Sequence, residues 1–328
     1  MSKEIEWLKK LKRGSEKEYP CGSVQDNELV ANSTEKQGLS TKGMPLPARK
    51  GFSAVAGMDD LKLRLSEGFI NVLQHPYQAQ RYGVTVPNIL FYGPAGCGKT
   101  YFAERVAEEV GINFMKIVPD DLASPFIHGT QQKIAEVFQK AEAAGPTLLF
   151  FDEFDCMVPR RTSNANSQYQ VDEVDEFLTM LNNSCQRGIY VIAATNRPDS
   201  IDSVVMRTGR IDEKIYIPMP DVDTRAHLFR YELNARPASP DIDFNVLAEK
   251  SNGYNCSDIS YIVKLAARKK FNNAIITSRC EPISQEDLEQ VILDTRPSVS
   301  EREILAFERM SSDFAPKTGD NVRYKVGF

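Results

Sequence analysis

The stretch "FYGPAGCGKT", residues 91 to 100, packs three glycines, a lysine and a hydroxyl into the eight positions from Gly93 to Thr100. It satisfies the pattern G-x-x-x-x-G-K-[ST], and it stands between an apolar run and a helical segment, as that pattern requires. Glycines let backbone N–H groups curl around phosphate oxygens at a helix N-terminus, where the macrodipole also favours an anion. The backbone of Gly93, Pro94, Ala95, Gly96, Cys97 and Gly98, with Lys99, Thr100 and Tyr101 behind it, is therefore a candidate nucleotide contact. Lys99 is expected to reach the β- and γ-phosphates, and the Thr100 hydroxyl to hold Mg²⁺.

Two further stretches offer groups that work on a phosphate. In "LLFFDEFD" an apolar run ends in Asp152 and Glu153. Asp152 at a strand end can meet the Mg²⁺ held by Thr100, and Glu153 can orient or deprotonate an attacking water. The alternative, an acidic strand end in water, is the weaker reading beside a phosphate loop. In "IYVIAATNRPD" a second apolar run ends at Asn196, whose amide would position the water or contact the γ-phosphate, or would simply form the turn before Arg197 and Pro198. The stretch "MRTGRID" adds Arg207 and Arg210 in a Gly-containing turn with no acidic residue before Asp212. Their anion is either a local carboxylate, Asp202 or Asp212, or one supplied from elsewhere.

These groups need elements to hold them. Short apolar runs at 88–92, 113–117, 147–151, 189–194 and 214–217 alternate with helical segments, which predicts an α/β fold with a buried parallel sheet. Polar strand ends then cluster on one edge, where ligands of open α/β sheets bind. After "PMPD" the strand signals stop, and 222 to about 295 carries helical periodicity only, which predicts a second, all-helical domain. Residues 14 to about 51 show no sustained period and read as a flexible leader. Ahead of it Ile5, Trp7, Leu8 and Leu11 fit a short amphipathic helix that frays, packs on its own domain or docks a partner. The tail "TGDNVRYKVGF" fits a short strand or a disordered end.

Bulk properties exclude several classes. Hydrophobic residues make 41% and charged residues 26% of 328, which excludes fibrous and wholly disordered chains. A net charge of -5 disfavours sequence-independent binding to nucleic acid. No apolar run approaches the about 18 residues that a membrane span needs. The N-terminus is charged from its third residue and lacks a secretory apolar core, so a cytoplasmic protein is expected. Six scattered cysteines without a C-x-x-C pair and three histidines argue for reduced thiols and against a zinc site.

From about Phe52 to Ala315 the chain resembles the AAA ATPases of the AAA+ superfamily. "FSAVAGMDDLK" is similar to the family's opening segment, which lays backbone near Ala56 and Gly57 against adenine. "ATNRPDSIDSVVMRTGRID" resembles its second region of homology, "GYNCSDI" the start of a lid-domain helix, and "RPSVSEREILAFE" the closing segment of the group that holds the ESCRT-disassembling ATPase, katanin and the valosin-containing segregase.

The resemblance implies a three-layer α/β/α P-loop domain with a five-stranded parallel sheet over 52–220, a helical lid and closing helix over 221–315, and a tail over 316–328. It implies ATP and Mg²⁺ as cofactors and a ring, a homo-hexamer, that remodels, unfolds or disassembles a polypeptide. Arg207 and Arg210 then match the arginines that project onto the γ-phosphate of the neighbouring subunit, where a guanidinium contributes about 10³ or more in rate. Phe126 and Ile127 fall on the aromatic–aliphatic pair of the first pore loop, with His128 where the family usually has Gly. The polar stretch between Arg160 and Asp172 fits a second pore-facing loop or an idle surface loop. Glu232 stands where many relatives have a nucleotide-contacting His, and Asn255 with Cys256 where the lid motif usually reads Ser-Gly. Apart from the resemblance, residues 1–13 would recruit an adaptor where their short helix docks a partner rather than fraying or packing on its own domain. Two rival functions remain at this stage, a nucleic-acid motor or loader and an ATP-controlled switch or scaffold; the acidic balance and Phe126–Ile127 count against the first, and Glu153 against the second.

Overall fold

In the computed structural model the described residues are 51–123, 129–160, 174, 176–182, 184–207 and 209–314. Five strands carry the polar ends noted above: β1 (Ile89–Tyr92), β2 (Asn113–Ile117), β3 (Thr147–Phe151), β4 (Ile189–Thr195) and β5 (Glu213–Tyr216). They pair in the order β2-β3-β4-β1-β5, every pair parallel. The three central strands are wholly buried, and their sequences are continuous apolar runs because helices cover both faces.

The pleat sorts their side chains. Leu149 and Phe151 of β3 join Leu90, Val191 and Ala193 on one face, packed with Ile134 and Phe138 of the helix Gly129–Ala144. Leu148 and Phe150 point the other way, to Phe91, Ile192 and the helix Lys99–Val110 through Phe102 and Val106. Each large side chain buried in this way contributes about 1.5–3 kcal/mol. Phe52 of the opening segment stacks on Phe102 with ring centroids 5.7 Å apart, tying that segment to the helix behind the phosphate loop.

Beyond β5 the elements are helical: Val222–Leu233, Phe244–Lys250, Cys256–Thr277, Gln285–Asp294 and Glu301–Phe314. Four of them begin on a side-chain cap, Asp221, Asp243, Asn255 and Ser284, each accepting from a backbone N–H of the first turn. Phe229, Leu247, Ile259, Ile262, Leu288 and Val291 form their shared core. The last helix returns to the sheet, where Phe307 stacks on Tyr216 at 6.5 Å and Phe314 meets Tyr92 edge-on at 5.4 Å. All described residues fall within one compact unit, Met44–Phe328.

β2 and β3 keep the expected limits, and β1, β4 and β5 differ from theirs by a residue. β1 starts at Ile89 because Asn88 is spent pinning a neighbouring turn, and β4 runs on to Thr195, paired with Tyr92. The leader, the helix proposed near its start, the stretch Phe126–Ile127, the polar stretch after Arg160 and the tail after Phe314 lie outside the described residues.

Candidate functional site

Between β1 and the helix Lys99–Val110 the loop closes tightly, and its glycines carry the bends. Gly93 has φ 148°, and a Cβ there would stand 2.2 Å from Ile217 O. Gly98 has φ 86° and precedes the first helical residue. Lys99 is only 8% exposed, and its Nζ donates to Gly93 O at 2.9 Å and Pro94 O at 2.8 Å. Burial pushes this ammonium down from 10.5 to about 8, with neighbouring carboxylates Asp152 and Asp155 offsetting part of the shift. Cys97 is buried against Met219, and burial pushes its thiol up to about 11. Tyr101 lies at the surface, its hydroxyl donating to Ala54 O at 3.2 Å and its ring carrying the Arg105 guanidinium at 4.9 Å. It braces the opening segment.

The Thr100 hydroxyl donates to Asp152 Oδ2 at 3.1 Å, so the two groups expected to share a cation stand side by side. Both offer oxygen, the donor that Mg²⁺ prefers, and a phosphate-borne ion needs only one or two protein ligands. The residues present fit that ion. Lys116 Nζ also approaches Asp152 Oδ2, at 2.8 Å. β2–β3 pairing brings it there, because Asp152 N continues the ladder by donating to Ile117 O at 2.9 Å. Glu153 follows with φ 52°, one of three described non-glycine residues at positive φ. A left-handed glutamate is uncommon, and such strain is characteristic of functional positions. Its backbone N–H donates to Asp152 Oδ1 at 3.1 Å, and its side chain is exposed.

β4 lies between β1 and β3, so Asn196, exposed just past Thr195, stands between the phosphate loop and Asp152. Thr195 itself is 1% exposed. Its hydroxyl donates to Asp155 Oδ1 at 2.6 Å and accepts from Arg197 N at 2.8 Å. This pair fastens the end of β4 to the turn that presents Glu153.

The arginine turn is elsewhere. Gly209 (φ 88°) bends it, Arg210 N donates to Arg207 O at 3.1 Å, and Asn88 Nδ2 holds Arg210 O at 2.8 Å. Asp212 gives both carboxylate oxygens to backbone donors, Gly209 N at 2.8 Å and Asn88 N at 3.1 Å. Arg210 Nη1 donates to Val204 O at 2.9 Å, and Arg207 is exposed. Since Ile89 pairs with Glu213, the turn sits where β1 and β5 begin, whereas the phosphate loop leaves β1 at its far end. At about 3.3 Å per residue, five positions of strand put about 16 Å between the two, beyond the reach of an arginine side chain. The structure brings Lys99, Thr100, Asp152, Glu153 and Asn196 together and keeps Arg207 and Arg210 apart from them.

Ala56 and Gly57 meet the first helix beyond the sheet. Ala56 O accepts from Thr224 Oγ1 at 3.2 Å, and a Cβ on Gly57 (φ 60°) would be 2.5 Å from that hydroxyl. Glu232 is engaged away from this seam, by Ser260 Oγ at 2.6 Å and Arg236 Nη1 at 3.1 Å. Sequence reasoning missed Lys116, Thr195, Asp155 and Asn88. None carries a motif signal, because each acts through strand pairing or a contact between segments distant in the chain.

Residues 89–219 match the family model described as ATPase family associated with various cellular activities (AAA). The chain is similar to the ATPase family gene 2 protein homolog A of Homo sapiens, 31% identical over 271 residues, which covers 82% of this chain and 30% of that protein. It is also similar to the cell division cycle protein 48 homolog of Archaeoglobus fulgidus, 31% identical over 272 residues, 79% of this chain and 37% of the relative. A further match, 28% identical over 303 residues, is to an ATPase of Dictyostelium discoideum named as a candidate in ribosome biogenesis, and covers 88% and 35%. The chain thus spans about a third of the length of these relatives.

Proposed function

Because this chain belongs to the AAA ATPases through the domain at residues 89–219, we propose that it hydrolyses Mg·ATP at sites shared between neighbouring copies in a ring, a homo-hexamer, and uses the turnover to remodel or disassemble a polypeptide. The observation that carries this reading is the separation within one sheet: the guanidinium groups of the turn at Arg207 and Arg210 lie at the strand starts, the phosphate loop at the strand ends. A second copy supplies what a single copy lacks.

Each residue then has a defined task. Lys99 pairs with the β- and γ-phosphate oxygens, and the loop backbone from Gly93 to Gly98, with Tyr101 behind it, holds the polyphosphate. Thr100 and Asp152 hold Mg²⁺, which supplies neutralisation of the developing phosphate charge. Lys116 must then release Asp152 Oδ2, which it holds at 2.8 Å. Glu153 receives the proton of the attacking water on its carboxylate, and Asn196 orients that water or the γ-phosphate. Arg207 and Arg210 of the adjoining copy spread charge over the transferring phosphoryl group. The backbone at Ala56 and Gly57 takes the base. In this reading 52–220 is the catalytic domain and 221–315 its lid, Phe126 and Ile127 grip the polypeptide, and residues 1–13 recruit an adaptor.

The test is subunit mixing. Lys99→Ala and Arg207→Ala copies are each expected to be inactive alone, and mixed rings should regain part of the ATPase rate because some interfaces hold both intact groups. Mixed rings verified by native mass spectrometry that recover nothing would refute shared sites.

A further inference from the structure

The phosphate loop is gripped from outside at two places, and both grips lead to the closing segment 296–314. The first is Asn255, 1% exposed, which caps the helix Cys256–Thr277. Its Oδ1 accepts from Asp258 N at 2.8 Å, while its Nδ2 donates to Ala95 O at 3.0 Å and to Ser298 Oγ at 2.8 Å. Beside it Ser257 N donates to Gly96 O at 3.2 Å, and Ser298 N donates to Asp258 Oδ2 at 3.2 Å. A serine here could cap the helix but has one hydrogen to give; the amide has two, and so joins the loop and Ser298 at once. Gly96 accommodates it, since a Cβ would lie 2.6 Å from the amide nitrogen.

The second grip is at Tyr92, the residue before the loop. Phe314 packs edge-on against its ring, centroids 5.4 Å apart, and Ser311 lines the pocket beside it. Ser311 and Phe314 lie on the helix Glu301–Phe314, which begins just after Ser298. The contacts close a circuit: Tyr92, loop, Asn255, Ser298, closing helix, Tyr92.

The carbonyls held by Asn255 and Ser257 have a particular place in that circuit. Ala95 C=O shares a rigid peptide plane with Gly96 N–H, and Gly96 C=O shares one with Cys97 N–H. Those N–H groups are ones that a polyphosphate would engage, and a plane cannot turn its amide without turning its carbonyl. We propose that Asn255 is a positioning residue that locks the phosphate loop to the closing segment 296–314, so that nucleotide in the loop strengthens the docking of the helix Glu301–Phe314 on Tyr92 and its release loosens it. By linkage the docked helix strengthens nucleotide binding by the same factor. This inference rests on the ATP-binding reading above.

Hydrogen exchange of amides 301–314 tests it, in the full chain carrying Glu153→Gln to suppress turnover, with and without Mg·ATP, while a fluorescent ATP analogue reports affinity. The parent is expected to show exchange slowed about tenfold by nucleotide. Ser298→Ala, which removes the link to the closing segment alone, should lose most of that slowing and, by the same linkage, bind nucleotide more weakly by up to about the same tenfold, the effect of about one hydrogen bond. Asn255→Asp, which keeps the cap acceptor and removes both donors, should lose the slowing and bind about five- to tenfold more weakly. Nucleotide-bound Ser298→Ala and Asn255→Asp proteins that slow as much as the parent would overturn the proposal. Binding by the parent without slowed exchange refutes the coupling alone, whereas no binding by the parent refutes the ATP reading and the coupling with it.

Discussion

Raising the pH from 7 to 9 is expected to weaken Mg·ATP binding about tenfold through a single side chain. Lys99 is held between Gly93 O and Pro94 O, and burial brings its ammonium down to about 8. Its charged fraction without nucleotide is then about nine-tenths at pH 7 and about one-tenth at pH 9. Polyphosphate oxygens favour the charged form, so binding above pH 8 must draw a proton from solvent. The ratio of the two fractions gives the tenfold, equivalent to about 1.4 kcal/mol. Titration calorimetry at pH 8 in two buffers of different ionisation heat should show uptake of about half a proton per site. Cys97, pushed up to about 11, stays protonated over this range and does not interfere. Lys99→Arg, charged throughout, should bind more weakly at pH 7 but without the pH dependence. The same shift acts on folding. Between pH 8 and 10.5 the unfolded chain holds a proton that the folded lysine has lost, so nucleotide-free stability rises with pH across that window, by up to about 3 kcal/mol relative to Lys99→Met. A dissociation constant that is flat from pH 7 to 9, with no proton uptake and an intact fold by circular dichroism, would refute the reasoning.

Glu153→Gln should retain nucleotide affinity and lose about 10²–10⁴ in hydrolysis rate, read by phosphate release; unchanged turnover would remove Glu153 from its role. Lys116→Met frees Asp152 Oδ2 from a partly exposed cation and should lower the Mg²⁺ concentration for half-maximal ATPase activity by up to about fivefold, since an exposed pair contributes about 0–1 kcal/mol. Gly93→Ala forces a Cβ to within 2.2 Å of Ile217 O at φ 148°, and urea denaturation should show a loss of about 1–3 kcal/mol. Gly209→Ala meets nothing within 4 Å, so it should cost only the strain of φ 88°, about 1 kcal/mol in the same assay.

The sequence by itself determined the local chemistry. The glycines and Lys99-Thr100 of the phosphate loop, the acidic end of "LLFFDE" and the amide after "IYVIAAT" are each contiguous in the chain, and contiguous patterns survive translation into one dimension. It also determined the sheet, because strands buried on both faces read as near-continuous apolar runs, and those of β1, β3 and β4 do, with Thr147 and Thr195 only at strand ends. Strand order was decided only in three dimensions. Placing β4 between β1 and β3 sets Asn196 between Lys99 and Asp152, and placing β5 beside β1 sends the arginine turn to the opposite edge. Lys116 on Asp152, Asp155 on Thr195 and Asn255 on Ala95 are likewise invisible in the sequence, each joining segments that only folding brings together. Nearest neighbours along the chain specify which groups are present; side-by-side pairing of distant strands specifies which of them can act on one phosphate, because hydrogen-bond register fixes their separation to within a residue.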